Sequence, residues 1–118
     1  MFGFLRSRPA VDMGAMVARV ARGEVTLVDV RDAAELARTG RARDALHIPL
    51  SRLPMMADPR HPDFHAGLDP AKPVALYCAS GARSGQAKSV MERLGFTDVS
   101  NIGSLSGWQS AGGAISRG

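Results

Sequence analysis

The chain contains one cysteine, and the residues around it are typical of a reactive thiol. Cys78 ends the apolar run 74–77, and Gly81 and Arg83 follow it in a short loop before a helical pattern begins. The start of a helix presents unpaired N–H groups and a partial positive charge, which favour a thiolate over a thiol. A cysteine whose pKa is lowered in this way is a nucleophile at neutral pH, whereas a cysteine buried in a core is inert. The segment 78–84 is therefore the candidate active site.

Every residue of this loop has a candidate role next to the sulfur. Gly81 permits backbone conformations that other residues adopt only at a high cost. Arg83 either offers planar donors to an anionic substrate or ties the loop to a carboxylate. Ser84 is the expected N-cap of the helix that follows. The backbone N–H groups that can converge on a charged sulfur belong to Ala79, Ser80, Gly81, Ala82, Arg83 and Ser84.

Length and composition describe one folded domain. The chain has 118 residues and no apolar run long enough to span a bilayer, so we expect no membrane contact. A lone cysteine excludes an internal disulfide and favours a reducing compartment, which predicts a cytoplasmic protein. We expect residues 1–10 to form an N-terminal tail and residues 11–118 to form the domain. We also expect a monomer.

The formal net charge of +4 does not by itself indicate nucleic-acid binding. Arginines are scattered along the chain without interleaved aromatic residues or a recognisable binding motif. Arg38, Arg41 and Arg43 form a cluster that a solvated loop face explains. An excess of basic over acidic residues suits a small anionic substrate instead, because the positive charge raises the local concentration of that substrate. His61 and His65 have no further ligands to complete a metal site, so we expect no metal.

Strand and helix patterns alternate along the chain. The apolar runs that predict strands are 25–30, 45–48, 74–77 and 99–102. The helical patterns are 13–21, 32–38, 51–55, the stretch that begins at Ser84, and 105–110. Crossover helices between strands predict an α/β domain with a mainly parallel sheet of about five strands and helices on both faces. Ligands bind beyond the carboxyl ends of such strands, which is where Cys78 lies.

Polar residues and glycines mark the expected ends of these helices. Asp12, Asp32 and Ser51 are the expected N-caps, and Gly40 and Gly95 are the expected stops. Prolines interrupt the stretch between the helical pattern 51–55 and the strand pattern 74–77, which predicts a surface loop over residues 57–72. Met55, Met56 and Phe64 either pack this loop against the body or line the approach to the cysteine.

Four segments resemble, in order, the motifs of the rhodanese family in its single-domain form. They are Val28–Arg31 followed by Glu35, then 40–49, then 78–84, and finally Asn101–Ser104 followed by Trp108, Ala111 and Gly112. Together they cover nearly the whole chain. The departures are Arg41, Asp44, His47 and Ser104, which stand where the family usually has His, Gly, Asn and Gly. None of these departures touches the cysteine loop.

The resemblance implies a thiosulfate sulfurtransferase that uses no cofactor. In such a protein Cys78 attacks the sulfane sulfur of a small anionic donor such as thiosulfate and becomes a persulfide. Cyanide, a thiol or a protein acceptor then removes the sulfur, so the exchange is covalent and proceeds in two steps. Asp29 and Arg31, at a strand end, either support this site or form an internal ion pair, and we expect a pair such as that of Arg31 with Glu35. Trp108 is expected to pack in the core or at its rim.

Two other functions fit parts of the pattern. Cell-cycle phosphatases and related arsenate reductases resemble the same fold, but their loop has one residue more between cysteine and arginine. Four residues separate Cys78 from Arg83, which shrinks the ring of N–H groups to fit a single sulfur atom, so we expect no phosphatase activity. The second alternative is a non-catalytic partner-binding module, or a carrier whose persulfide comes from a protein donor. Cys78, Gly81 and Arg83 together favour activity.

Overall fold

The computed structural model describes residues 11–117, so the tail predicted for residues 1–10 lies outside the described residues. The strands are β1 (Thr26–Asp29), β2 (Arg41–Ala42), β3 (Leu46–His47), β4 (Val74–Cys78), β5 (Val99–Ser104) and β6 (Ile115–Ser116). The helices are α1 (Met13–Ala21), α2 (Ala33–Thr39), α3 (Leu53–Met56), α4 (Ala82–Arg93) and α5 (Leu105–Ser110), with a 3-10 turn at Leu50–Arg52. None of these helices is long and apolar enough to cross a membrane.

Four strands form a parallel sheet in the order β3-β1-β4-β5. Strand β4 lies inside this sheet and is buried along its whole length, which explains its continuous apolar sequence. Strands β2 and β6 form a separate antiparallel pair. The predicted parallel α/β architecture is confirmed, with four strands in the main sheet where about five were expected.

The sheet carries a hydrophobic core on each face, because successive residues of a strand point to opposite sides. Leu76 and Cys78 face one core, which α3 and α4 cover with residues such as Met91. Tyr77 faces the other core, which α1 and α5 cover and which contains Trp108. The cysteine at the end of β4 therefore points toward the face of the sheet that carries α4.

The predicted caps are confirmed for two helices and wrong for two others. Asp12 accepts a hydrogen bond from the Ala15 N–H at 3.0 Å, and Asp32 forms a reciprocal capping box with Glu35. No side chain caps the segment 50–56, so the expected cap at Ser51 is wrong.

The helix after the cysteine begins earlier than predicted. Helix α4 begins at Ala82, and Gly81 is its N-cap residue, with φ at 102° and no side-chain cap. Ser84, which was expected to be the N-cap, lies inside the first turn and is buried. The difference has a physical reason: the chain turns into the helix at once, and this early turn brings the hydroxyl of Ser84 over the sulfur instead of out to a helix end.

The long connection between α3 and β4 contains turns but no strand or α-helix, as its prolines predict. Met56 and Phe64 are partly buried against the core on the α4 face of the sheet. Of the two roles expected for these side chains, packing the loop against the body is therefore the one observed.

Candidate active site

The loop after β4 folds back over the sulfur of Cys78. The N–H of Gly81 donates to Sγ with an N···S distance of 3.0 Å. The N–H and the hydroxyl of Ser84 each lie 3.4 Å from the same sulfur. Cys78 has no exposed surface, so its sulfur sits beneath this loop rather than on the outer surface. The structure brings donors from the middle and the end of the loop together at one atom.

These donors change the acidity of the thiol. Burial raises the pKa of Cys78, since it disfavours the charged form. Hydrogen bonds from the Ser84 hydroxyl and from backbone N–H groups of the loop lower the pKa of Cys78, and their combined effect exceeds that of burial. The pKa of Cys78 falls from the ordinary 9.0 to about 7, so more of the sulfur is thiolate at neutral pH than in a free cysteine.

The sharp turn of this loop depends on Gly81. Its φ of 102° lies in the region that L side chains rarely adopt. A Cβ at this position would meet the Cα of Gly103 at 3.5 Å, an ordinary contact, so conformation and not space requires glycine here. Ala79, Ser80 and Ala82 are exposed, so their side chains face solvent and do not cover the sulfur from within.

Arg83 is bound to a carboxylate of helix α2. Its Nη1 donates to Oε1 of Glu35 at 2.6 Å, and its Nη2 donates to Oε2 at 2.8 Å. This geometry raises the pKa of Arg83, and the hydrogen bond from Arg83 is the largest cause that lowers the pKa of Glu35 to about 2. Of the two roles predicted for Arg83, the structural tie is present. Its side chain remains 36% exposed, so the pair with Glu35 does not close it off from solvent.

Asp29 and Arg31 form a buried ion pair away from the sulfur. Nη2 of Arg31 lies 2.8 Å from Oδ2 of Asp29, and the hydroxyl of Tyr77 donates to the same oxygen at 2.6 Å. This cluster lies on the Tyr77 face of the sheet, opposite Cys78, so the structure does not bring it to the site. The expected pairing of Arg31 with Glu35 is wrong. Asp29 is fully buried and lies beside Arg31, whereas Glu35 reaches across to Arg83.

Asn101, on the neighbouring strand β5, lies in the last segment that resembles the family, but sequence reasoning assigned it no role at the loop. Its Nδ2 donates to the carbonyl of Gly81 at 2.9 Å. Its Oδ1 accepts from the hydroxyl of Ser84 at 2.7 Å and from the N–H of Gly103 at 3.0 Å. The available signals were its place in that segment and its position near the end of the strand predicted over residues 99–102, since carboxyl ends of parallel strands meet at one edge.

Two open cavities flank the loop. One has a volume of about 450 Å³ and includes Ser80, Gly81, Asn101 and Gly103 in its lining. The other, of about 320 Å³, is lined by Val30, Asp32, Pro49, Leu50, Ser51 and Arg83. The second cavity places apolar side chains beside the guanidinium of Arg83 and the carboxylate of Asp32. Residues 11–117 contain no group of three or more His, Cys, Asp or Glu that could hold a metal ion.

Comparisons with known proteins agree with this architecture. Residues 13–111 match the family model described as the rhodanese-like domain. A sulfurtransferase from Allochromatium vinosum is 34% identical over 104 residues, which cover 86% of this chain and 89% of the relative. A thiosulfate:glutathione sulfurtransferase from Saccharomyces cerevisiae is 36% identical over 105 residues, which cover 75% of this chain and 68% of the relative. The solved structure of a human single-domain sulfurtransferase matches with a TM-score of 0.73 at 28% identity, over 88% of this chain and 97% of that chain. The chain therefore belongs to the rhodanese-like domain family, with relatives that are named sulfurtransferases.

Proposed function

We propose that this protein is a sulfurtransferase that carries a sulfane sulfur on Cys78. The observation that carries the proposal is the convergence of the Gly81 N–H and both donors of Ser84 on one sulfur, with a thiol pKa of about 7. Such donors stabilise negative charge on sulfur before the reaction and after it, which both halves of a sulfur transfer need. The names of the relatives support the same class of reaction.

The proposed reaction has two steps. In the first, the thiolate of Cys78 attacks the outer sulfur of a donor such as thiosulfate, a new S–S bond forms, and the old S–S bond breaks with its electron pair leaving on sulfite. In the second, a thiolate or cyanide attacks the outer sulfur of the persulfide. The S–S bond to Cys78 then breaks, and its electron pair returns to the Cys78 sulfur. No external oxidant or reductant is required in either step.

The donor must displace part of the loop to reach the sulfur, because Cys78 has no exposed surface. The groups that lie against the sulfur belong to Gly81 and Ser84. The accessible part of Arg83, beside the 320 Å³ cavity, would hold the anionic end of the donor during this approach. For the acceptor, the name of the yeast relative supports a small thiol. Protein donors and acceptors would use the same exposed loop.

Steady-state kinetics with thiosulfate as donor and either cyanide or glutathione as acceptor test this proposal. Parallel double-reciprocal plots are expected, since the enzyme alternates between free and persulfide forms. Cys78→Ser should abolish turnover, whereas Ser100→Ala, a polar-to-apolar change on β5 away from the sulfur, should retain it. Turnover that survives in Cys78→Ser would overturn the proposal.

A phosphatase is the less favoured enzyme. The loop donors lie within 3.4 Å of Sγ itself, and a ring closed around one atom does not fit a tetrahedral phosphate above it. We expect no hydrolysis of an aryl phosphate. Hydrolysis that disappears in Cys78→Ser would reverse this assignment.

A further inference from the structure

The side-chain amide of Asn101 connects β5 to the middle and the end of the loop 78–84 that surrounds the sulfur. It donates to the carbonyl of Gly81 and accepts from the hydroxyl of Ser84, at 2.9 and 2.7 Å. It also accepts from the N–H of Gly103 at 3.0 Å. The amide can have only one orientation, because a carbonyl oxygen only accepts and a backbone N–H only donates. Oδ1 must therefore face Ser84.

The hydroxyl of Ser84 has two acceptors and one hydrogen. Its Oγ lies 2.7 Å from Oδ1 of Asn101 and 3.4 Å from Sγ of Cys78. A hydroxyl donates one hydrogen at a time, although it can accept another bond as well. Hydrogen bonds from Ser84 are also the largest contribution that lowers the pKa of Cys78. Where that hydrogen points consequently affects how well the loop holds a charged sulfur.

We propose that Asn101 is a positioning residue that tunes the sulfur site through Ser84, because its amide oxygen competes with Sγ for the single hydroxyl hydrogen. With a neutral thiol, Ser84 donates to Asn101 and accepts from the S–H group of Cys78. With a thiolate, the hydroxyl rotates and donates to the sulfur. Oδ1 of Asn101 then still accepts a hydrogen bond from the N–H of Gly103, so no buried acceptor is left without a partner.

The charged groups that face the loop do not take part in this exchange. Arg83 and Glu35 are bound to each other, and the negative charge of Asp32 contributes to the raised pKa of Arg83. Neither Arg83 nor Glu35 nor Asp32 forms a hydrogen bond with Asn101 in the part of the chain that the structure describes. An effect of Asn101 on the sulfur therefore passes through Ser84 and Gly81.

The test is the pH dependence of the alkylation of Cys78 by iodoacetamide, which reports the thiolate fraction and needs no sulfur donor. Asn101→Asp should lower the alkylation rate at about pH 6, taken relative to the same variant's rate at high pH where the thiol is fully ionised, by roughly threefold to tenfold, because a carboxylate adds negative charge and holds the Ser84 hydrogen more strongly. This ratio removes any effect of the substitution on access to the buried sulfur. In a Ser84→Ala background the same substitution should have a smaller effect. Equal effects in both backgrounds, or no effect, would overturn the proposal.

A second pair of variants keeps the test decisive if Asn101→Asp does not fold. Ser84→Ala should slow alkylation more in an Asn101→Ala background than in the wild type, because the hydroxyl there has no competing acceptor. Additive effects of the two substitutions would contradict competition. The control is Ser100→Ala, which lies next to Asn101 on β5 and should leave the pH profile unchanged. The role of Asn101 rests on the proposed function only for its relevance to sulfur transfer. If the protein were inactive toward thiosulfate but showed the predicted alkylation profiles, the proposed sulfur transfer would be refuted and the role of Asn101 would stand.

Discussion

Arg83 and Glu35 join the loop around the sulfur to helix α2 through two parallel hydrogen bonds of 2.6 and 2.8 Å. The same carboxylate accepts from the N–H of Asp32 at 3.1 Å and so completes the capping box of α2. One side chain thus stabilises the first turn of a helix and the position of the sulfur-binding loop. Protonation of Glu35 would weaken both contacts at once.

The paired carboxylate predicts a loss of stability in acid. The hydrogen bond from Arg83 is the main cause that lowers the pKa of Glu35 from 4.5 to about 2 in the folded protein. A carboxyl group with a lowered folded pKa stabilises the native state above its unfolded pKa, and this contribution is lost as the pH falls from 4.5 to about 2. Glu35→Gln should therefore show a smaller decrease in the free energy of unfolding over this range than the wild type does. Urea unfolding at several pH values measures the difference.

The matched control is Glu92→Gln, which removes a carboxylate from an exposed ion pair with Lys88. Its unfolding should follow the wild-type pH dependence, since exposed pairs contribute little. If Glu35→Gln and the wild type lost stability in parallel between these pH values, the assigned role of the Arg83 contact would be wrong.

The left-handed backbone of Gly81 predicts that even a methyl group is harmful there. Gly81→Ala should lower the free energy of unfolding by about 1–2 kcal/mol, because φ at 102° is unfavourable for an L residue. It should also raise the pKa of Cys78, since relaxation of φ moves the nearest N–H donor away from the sulfur. Gly14→Ala is the control: it lies inside α1 with only an ordinary 3.6 Å contact to Asp12, and should stabilise the protein by about 0.5–1 kcal/mol. Equal effects of the two substitutions would contradict the assigned geometry.

The buried cluster of Asp29, Arg31 and Tyr77 predicts changes in stability without changes at the sulfur. Asp29→Ala leaves the guanidinium of Arg31 buried without its carboxylate and should cost about 3–5 kcal/mol. Tyr77→Phe removes one donor to Asp29 and the acceptor of the Ala42 N–H, and should cost about 1–3 kcal/mol. Chemical denaturation measures both values.

The same variants test whether this cluster is separate from the site. Tyr77 faces the core opposite the one that Cys78 faces, so Tyr77→Phe should leave the pH profile of alkylation unchanged while it lowers stability. A marked change of that profile in a folded Tyr77→Phe protein would show that the two faces of the sheet are coupled.

The sequence predicted the main sheet well because its strongest patterns are local. Strand β4 is apolar throughout and lies inside the sheet, and α1 and α2 have their capping residues beside them in sequence. Strands β2 and β6 were not predicted, since two residues are too few to show a periodic pattern. The start of α4 was misplaced because Gly81, with no side chain, occupies the cap position that a polar residue was expected to fill.

The site, like the fold, was predictable only where its residues are neighbours in the sequence. The loop from Cys78 to Ser84 is contiguous, so its type and order could be read along the chain. The partners that hold it come from elsewhere: Glu35 lies 48 residues from Arg83, and Asn101 lies 17 residues from Ser84. Nothing in the local pattern selects one carboxylate among several for Arg83, which is why Glu35 was assigned to Arg31 instead.

Intact-protein mass spectrometry after exposure to thiosulfate, followed by removal of the excess donor, addresses sulfur transfer most directly. The wild-type protein is predicted to gain the mass of one sulfur atom at Cys78, and glutathione or cyanide should then remove it. Cys78→Ser should gain nothing under the same conditions. An unmodified wild-type protein after exposure to both thiosulfate and a persulfide donor would contradict the proposal that this thiolate carries sulfur.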